Sequence, residues 1–209
     1  MKNQLDPHFI FNALNSIQSY ILDGKKENAL DYLSDFSNVL RKKIEHANCD
    51  FISLSEEIEY LRLYLKLEQM RFPNKFTFHI QVDKTINLHE FKLPAMLIHP
   101  FLENAIKYGL SGSEDNGILS LTFELKDDGF LNCTITDNGC GRKKSKDMQE
   151  SSSIKKQYKT LDIIRDRMSL LNKMHAEGRR YSYLIQDLVD ENGLAKGTLV
   201  EITIPKKID

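Results

Sequence analysis

The apolar positions change period once along the chain. Up to about residue 72 they recur every three or four residues, and from Phe76 they alternate. A first helix opens at Asp6-Pro7, where Asp suits the N-cap and Pro the first helical position. Phe9, Ile10, Ala13, Leu14, Ile17, Tyr20 and Ile21 fall on one wide face, His8, Asn12, Asn15 and Ser19 on the other, and Gly24 ends the helix. A second helix over about 27–46 carries Ala29, Leu33, Phe36, Leu40 and Ile44. A third begins at the capping-box pattern Ser53-Leu54-Ser55-Glu56 and stops at Pro73-Asn74. It has two apolar stripes, Ile58-Leu61-Leu65 and Tyr60-Leu63-Tyr64-Leu67, so it is expected to pack on two sides.

Phe76, Phe78, Ile80 and Val82 alternate with polar residues, the pattern of a half-buried strand. Residues 93–109 read as a helix, with Pro94 in its first turn and Gly109 at its end. Residues 118–126 and 130–136 alternate around Asp127-Asp128-Gly129, the signature of a hairpin. A polar Lys/Ser-rich loop is expected over 141–159, a helix over 160–174, and strands over 181–188 and 198–204. The fold class is α+β: a helical segment, then an α/β sandwich with helices on one face of a mixed, mostly antiparallel sheet. The expected division is 1–72 and 73–209.

Composition removes several function classes. With 41% apolar and 28% charged residues the 209-residue chain is not mostly disordered. Lys+Arg 29 against Asp+Glu 30 gives a net charge of −1, which argues against a general nucleic-acid or membrane-surface binder. Cys49, Cys133 and Cys140 lack metal-site spacing and fit reduced thiols in a cytosolic compartment. No apolar stretch approaches the roughly 18 residues of a membrane span, and no signal-peptide pattern opens the chain. The chain as given is expected to be soluble and intracellular.

Five groups of residues could carry chemistry. His8 stands in the first turn of a helix, where the unpaired backbone N–H groups favour a neutral, nucleophilic ring and would stabilise an attached phosphoryl group. Asn12 is one turn on. Taken alone, His8 reads first as a solvated histidine on a polar face, since a lone histidine is a weak signal. Glu103, Asn104 and Lys107 fall within one turn and could together handle a water, a Mg²⁺ ion and a phosphate, or simply form a solvated face. Asp137-Asn138-Gly139-Cys140-Gly141 ends a strand with a carboxylate that could accept from a base amine and two glycines that let backbone approach a ligand. The plain alternative is a tight turn. Gly197-Thr198 enters the last strand. Arg142, Lys143, Lys144, Lys146, Lys155, Lys156 and Lys159 could close over a triphosphate or be a solvated charge run. There is no Walker A sequence and no dinucleotide fingerprint.

The order of these pieces is more specific than any one of them. An Asn-bearing helix, Asp-x-Gly-x-Gly at a strand end, a polar loop and Gly-Thr at a strand entry resemble the GHKL ATPases with the Bergerat fold. Gln4 to Ile17, with His8, Asn12 and Asn15, is similar to the phosphoacceptor box of LytS/YesM-type sensor histidine kinases. Leu40-Arg41, Leu54-Ser55-Glu56-Glu57 and Tyr64 to Phe72 resemble the rest of that family's helical domain. The resemblance implies a dimerisation and phosphotransfer domain over 1–72 and an ATP-binding domain over 73–209. It implies His8 as phosphoacceptor, Glu103 as base, Asn104 as Mg²⁺ ligand and Lys107 as phosphate contact. Tyr108 stands where a His is common. Asp137 would read the adenine amine, Gly139 and Gly141 would shape the pocket, and Gly197 and Thr198 would form its floor, with the ATP lid over about 142–159. The expected cofactors are ATP and Mg²⁺, and the expected partners a response-regulator receiver domain and a second copy of the chain. Membrane contact would come only through upstream segments absent from this sequence, as for the cytoplasmic portion of a membrane receptor.

Three departures from the pattern stand out. Tyr108 replaces the common His, Gln157-Tyr158-Lys159-Thr160 lacks the usual glycines, and the phosphoacceptor box begins almost at Met1, where family members normally carry membrane-spanning and sensory segments before it. Phe9 follows His8 where other kinase classes place an acid, which leaves the immediate base open. The leading reading is an ATP-dependent protein-histidine kinase. The Gly-poor lid motivates a nucleotide-binding dimeric scaffold whose kinase activity has decayed, and a third reading, an ATPase that couples hydrolysis to conformational change, is opposed by the His8 box.

Overall fold

The computed structural model describes residues 7–110, 116–126, 129–142, 151–174 and 180–206, with the side chains of 151–159 and 174 left aside. The Asp6 cap, the Asp127-Asp128 turn and the loop at 143–150 lie outside the described residues.

Three helices come first, α1 (Pro7–Leu22), α2 (Lys26–Ala47) and α3 (Leu54–Arg71). The capping box at the start of α3 is formed: the Glu56 N–H donates to Ser53 Oγ at 3.2 Å and the Ser53 N–H to Glu56 Oε2 at 2.7 Å. Such a cap contributes about 1 kcal/mol. α3 is buried on both sides, as its two stripes predict, and packs against α2 and the strand that follows. α1 lies on α2, with the Phe9 ring 5.6 Å from that of Phe36 and 6.3 Å from that of Tyr64, and the Tyr20 hydroxyl donates to the Met70 carbonyl of α3 at 2.5 Å.

The phases of α1 and α2 differ from expectation. Phe9, Ile10, Ala13, Ile17 and Tyr20 of α1 meet the core, whereas Leu14 and Ile21 turn outward, 52% and 61% exposed. On α2 the inward residues are Ala29, Tyr32, Phe36 and Val39, while Leu33 and Ile44 are exposed. Both helices are apolar on more than one side, and periodicity alone does not choose between neighbouring faces.

A short ribbon ties the two halves of the chain together: β1 (Phe51–Ser53) pairs antiparallel with β3 (Lys92–Pro94). The main sheet has the order β2-β4-β5-β7-β6, from β2 (Phe76–Val82), β4 (Gly117–Leu125), β5 (Phe130–Asp137), β6 (Ser182–Val189) and β7 (Ala195–Pro205). β2 and β4 are parallel and the other pairs antiparallel. One face of the central strands is apolar rung by rung: Leu121–Ile135–Val200, Phe123–Cys133–Ile202 and Leu125–Leu131–Ile204. Each fully buried rung residue contributes about 1.5–3 kcal/mol. The next rung, Leu119–Asp137–Thr198, is where the row becomes polar.

Two other expectations are corrected. Residues 93–109 are not one helix. Residues 92–94 belong to the ribbon, a turn follows, α4 (His99–Asn104) is short, and 105–110 continue it as a wider π-helical turn. Pro94 therefore ends a strand, and Gly109 lies within the wide turn. The second concerns the loop at 141–159, since α5 runs over Ser151–Met174 and begins nine residues before the expected start. Leu161, Ile164, Met168 and Leu171 of α5 do pack into the core. Arg167 donates to the Ala95 carbonyl at 2.6 Å and ties α5 to the turn before α4.

Candidate active site

The end of β5 and the α4 segment form one wall each of an apolar cavity. Phe101, Leu161, Ile185 and Val200 supply its apolar lining, and Asn104, Tyr108, Asp137, Gly141 and Thr198 its polar points. Asp137 is buried because it ends the inward-facing row of β5. Burial pushes its carboxyl up to about 6, although the N–H groups of Gly139 and Thr198 pull the other way. The Gly139 bond is 2.9 Å long. A carboxylate at the base of an apolar slot is a strong acceptor for an amine donor.

Glycines are required around it. A Cβ on Gly139 would overlap the backbone of Gly109, and one on Gly109 would sit 2.8 Å from Asp137 Oδ1. Gly197 has φ +124°, and a Cβ there would overlap the Asp137 carbonyl oxygen. Gly139 and Gly197 thus form close-packed backbone walls around Asp137, and Gly141 lines the cavity itself.

Glu103 and Lys107 are not in this cavity. They lie with His99 on the opposite side of α4, in a cleft shared with Phe9 and Asn12 of α1, Lys43 of α2, and Glu68 and Arg71 of α3. Glu103 and Lys107 pair with each other. Burial pushes the Glu103 carboxyl up, but the His99 ring and the Lys107 and Lys43 ammonium groups outweigh it, so its pKa is lowered. His8 is exposed on α1, and its Nδ1 lies 3.0 Å from the Asn12 amide nitrogen. Asn12 is the link between His8 and the cleft that holds Glu103.

Among the described residues, no cluster of three or more His, Cys, Asp or Glu could hold a metal. No described helix is long and apolar enough to cross a membrane.

Residues 1–76 match the family model described as histidine kinase. Over these residues the chain belongs to the histidine kinase family. Sensor protein LytS of Staphylococcus epidermidis is 31% identical over 142 residues, 68% of this chain and 23% of LytS. Sensor histidine kinase BtsS of Escherichia coli is 34% identical over 119 residues, 57% of this chain and 20% of BtsS. The chain thus spans about a quarter or less of the length of these relatives. The histidine kinase domain of the blue-light-activated kinase EL346 of Erythrobacter litoralis shares the fold, with TM-score 0.50 and 14% identity over 99% of this chain and 87% of that one.

Reading the sequence alone misses several residues of the cavity. Phe101, Ala105, Leu161, Ile185 and Val200 look like ordinary core residues, and nothing in their spacing singles them out. Gly109 had a usable signal. A glycine five residues after Asn104 can mark close backbone approach as readily as a helix end.

Proposed function

We propose that this chain is the phosphoacceptor and ATP-binding part of a sensor kinase in a two-component system. Its His8 takes the γ-phosphoryl group of ATP and passes it to an aspartate of a response-regulator receiver domain. The observation that carries the reading is the two-sided α4 segment. Asn104 and Tyr108 face the cavity that holds Asp137, while Glu103 faces the cleft reached by Asn12, the neighbour of His8.

In this reading Asp137 accepts from the adenine amine, and the apolar lining holds the ring. Gly139, Gly141 and Gly197 let backbone close around it, Thr198 forms the floor, and Tyr108 flanks the cavity. Asn104 holds Mg²⁺, which neutralises the phosphate charge when bound. Glu103 serves His8 as base, and Lys107 meets phosphate by exchanging its pairing with Glu103. The Asn12 amide N–H donates to Nδ1 of His8, which puts the ring proton on Nε2, and Nε2 attacks as Glu103 takes that proton. Residues 1–72 form the phosphotransfer unit and 73–209 the ATP-binding unit, joined to a membrane sensor through upstream segments. The exposed apolar residues of α1 and α2 fit a helical interface between two copies.

The test is incubation with Mg²⁺ and γ-labelled ATP. The parent is expected to take acid-labile, base-stable label, and His8→Gln to lose it while keeping its ATP affinity. ATP binding without label would favour the scaffold, and phosphate release without label the ATPase. Equal labelling of His8→Gln would remove His8 from its role.

A further inference from the structure

The cleft side of α4 contains a buried histidine that this reaction scheme does not use. His99 is 5% exposed and enclosed by aromatic rings, with Tyr60 5.4 Å away and Tyr64 edge-on at 4.5 Å. Tyr60 of α3 is fully buried, and its hydroxyl lies 3.3 Å from His99 Nδ1. A buried phenol needs a partner, and burial raises the Tyr60 pKa so far that the hydroxyl keeps its proton. Burial likewise lowers the His99 pKa to about 3, so the ring is neutral and carries a single N–H. If Nδ1 accepts from Tyr60, that proton is on Nε2.

Nε2 faces Glu103. The two residues are one turn apart on α4, and Nε2 lies 4.0 Å from Glu103 Oε2, a small side-chain shift beyond hydrogen-bond length. Because the ring is neutral, this is an N–H directed at a carboxylate, not an ion pair. The other carboxylate oxygen, Oε1, takes the Lys107 ammonium one turn further on. Lys107 thus holds one carboxylate oxygen, and a small shift of the Glu103 side chain would bring the other onto the Nε2–H.

We infer that His99 is a positioning residue: held by the Tyr60 hydroxyl, it turns an Nε2–H toward Glu103 and fixes that carboxylate in the cleft that opens on Asn12. The inference rests on the reading of Glu103 as the group that serves His8. It adds that the carboxylate's orientation is set by α3 through Tyr60, and not by α4 alone. His99 does not touch the reacting atoms.

Two measurements on the whole chain test it. The first reads the ring directly, by nitrogen NMR of protein labelled at histidine, with the His99 signals identified by their loss in His99→Gln. An unprotonated Nδ1 and a protonated Nε2 are expected. Tyr60→Phe, which deletes one atom and keeps the packing, should mix the two tautomers, and Glu103→Gln should move the Nε2–H signal. An Nδ1–H tautomer in the parent, or nitrogen signals that ignore Tyr60→Phe, would overturn the inference.

The second measurement compares labelling rates. His99→Gln keeps an N–H near the place of Nε2 and should stay close to the parent. His99→Leu should label roughly ten- to a hundredfold more slowly at unchanged ATP affinity, the cost of a misplaced catalytic group. Parent-like labelling by His99→Leu, or a loss of ATP affinity along with labelling, would make the ring merely structural and refute the inference. A parent that binds ATP but takes no label refutes the kinase reading instead, and the nitrogen signals then decide the role of His99 by themselves.

Discussion

If Asp137 reads the adenine amine as proposed, adenine recognition depends on pH, and the size of the effect follows from its pKa. Its carboxyl titrates at about 6 because burial penalises the charge more than the Gly139 and Thr198 N–H groups stabilise it. The ionised form is the one that accepts from an exocyclic amine, so a proton competes with the base. With a pKa of about 6, roughly nine tenths of the sites are ionised at pH 7 and about one tenth at pH 5. Affinity should therefore fall about tenfold between pH 7 and pH 5. Adenosine is the suitable probe, because it carries no phosphate and stays uncharged over this range. Titration calorimetry or NMR at both pH values would read the change. Asp137→Asn offers a mixed donor and acceptor that does not titrate, so it should bind more weakly at pH 7 and show no pH dependence. A flat profile in the parent, or an equal slope in Asp137→Asn, would refute the assignment of Asp137 to the adenine amine.

Three other variants test the packing around the site and the outer face of the helices. Gly197→Ala places a Cβ on the Asp137 carbonyl at φ +124°, so strain and overpacking of about 2–4 kcal/mol should lower Tm by roughly 5–15 °C. Gly193→Ala, at φ +77° with open space around it, should cost only about 1 kcal/mol and so no more than about 4 °C in the same thermal melt. Light scattering should find two copies of the chain at high concentration and one for Leu14→Asp, because Phe11, Leu14 and Leu22 are 64%, 52% and 78% exposed on one helix. A parent that stays monomeric at every concentration would refute the dimer.

The parts of this fold that are legible in the sequence are those where one face is buried and the other wet. β4 and β5 alternate cleanly because their inward residues meet across the sheet in register, and α3 announces both its start and its two packed sides. What is not legible depends on distant partners. β3 is three residues long and exists because β1 pairs with it from forty residues away. Without that knowledge, Pro94 followed by Ala95-Met96-Leu97-Ile98 resembles a helix start. The first nine residues of α5 contain only Ile154 and Tyr158 as apolar positions, too few to show a helical period. At the site, residue types pointed to the chemistry but not to its geometry. Glu103 and Asn104 look like one cluster, yet neighbours on a helix differ by about 100° and these two open into different cavities.

That separation gives α4 its use. A nucleotide site needs a dry, close-fitting wall, and a phosphoacceptor needs a carboxylate that can reach a different element of the chain. One α-helical turn cannot aim both groups into the same space without also placing the base beside the adenine. Adjacent positions on one helix solve this by facing opposite ways. The π-helical turn at 105–110 then widens the backbone where it meets β5, so that Gly109 can lie against Gly139 and its carbonyl can accept from the Cys140 N–H at 3.2 Å. Wide turns of this kind are frequent at functional sites. The wall is thus fixed to the strand end that carries Asp137 and, through Tyr60 and His99, to the helices that carry His8. Under the proposed reading, a movement of α4 would alter the Asp137 cavity and the Glu103 cleft together, because the segment lines both.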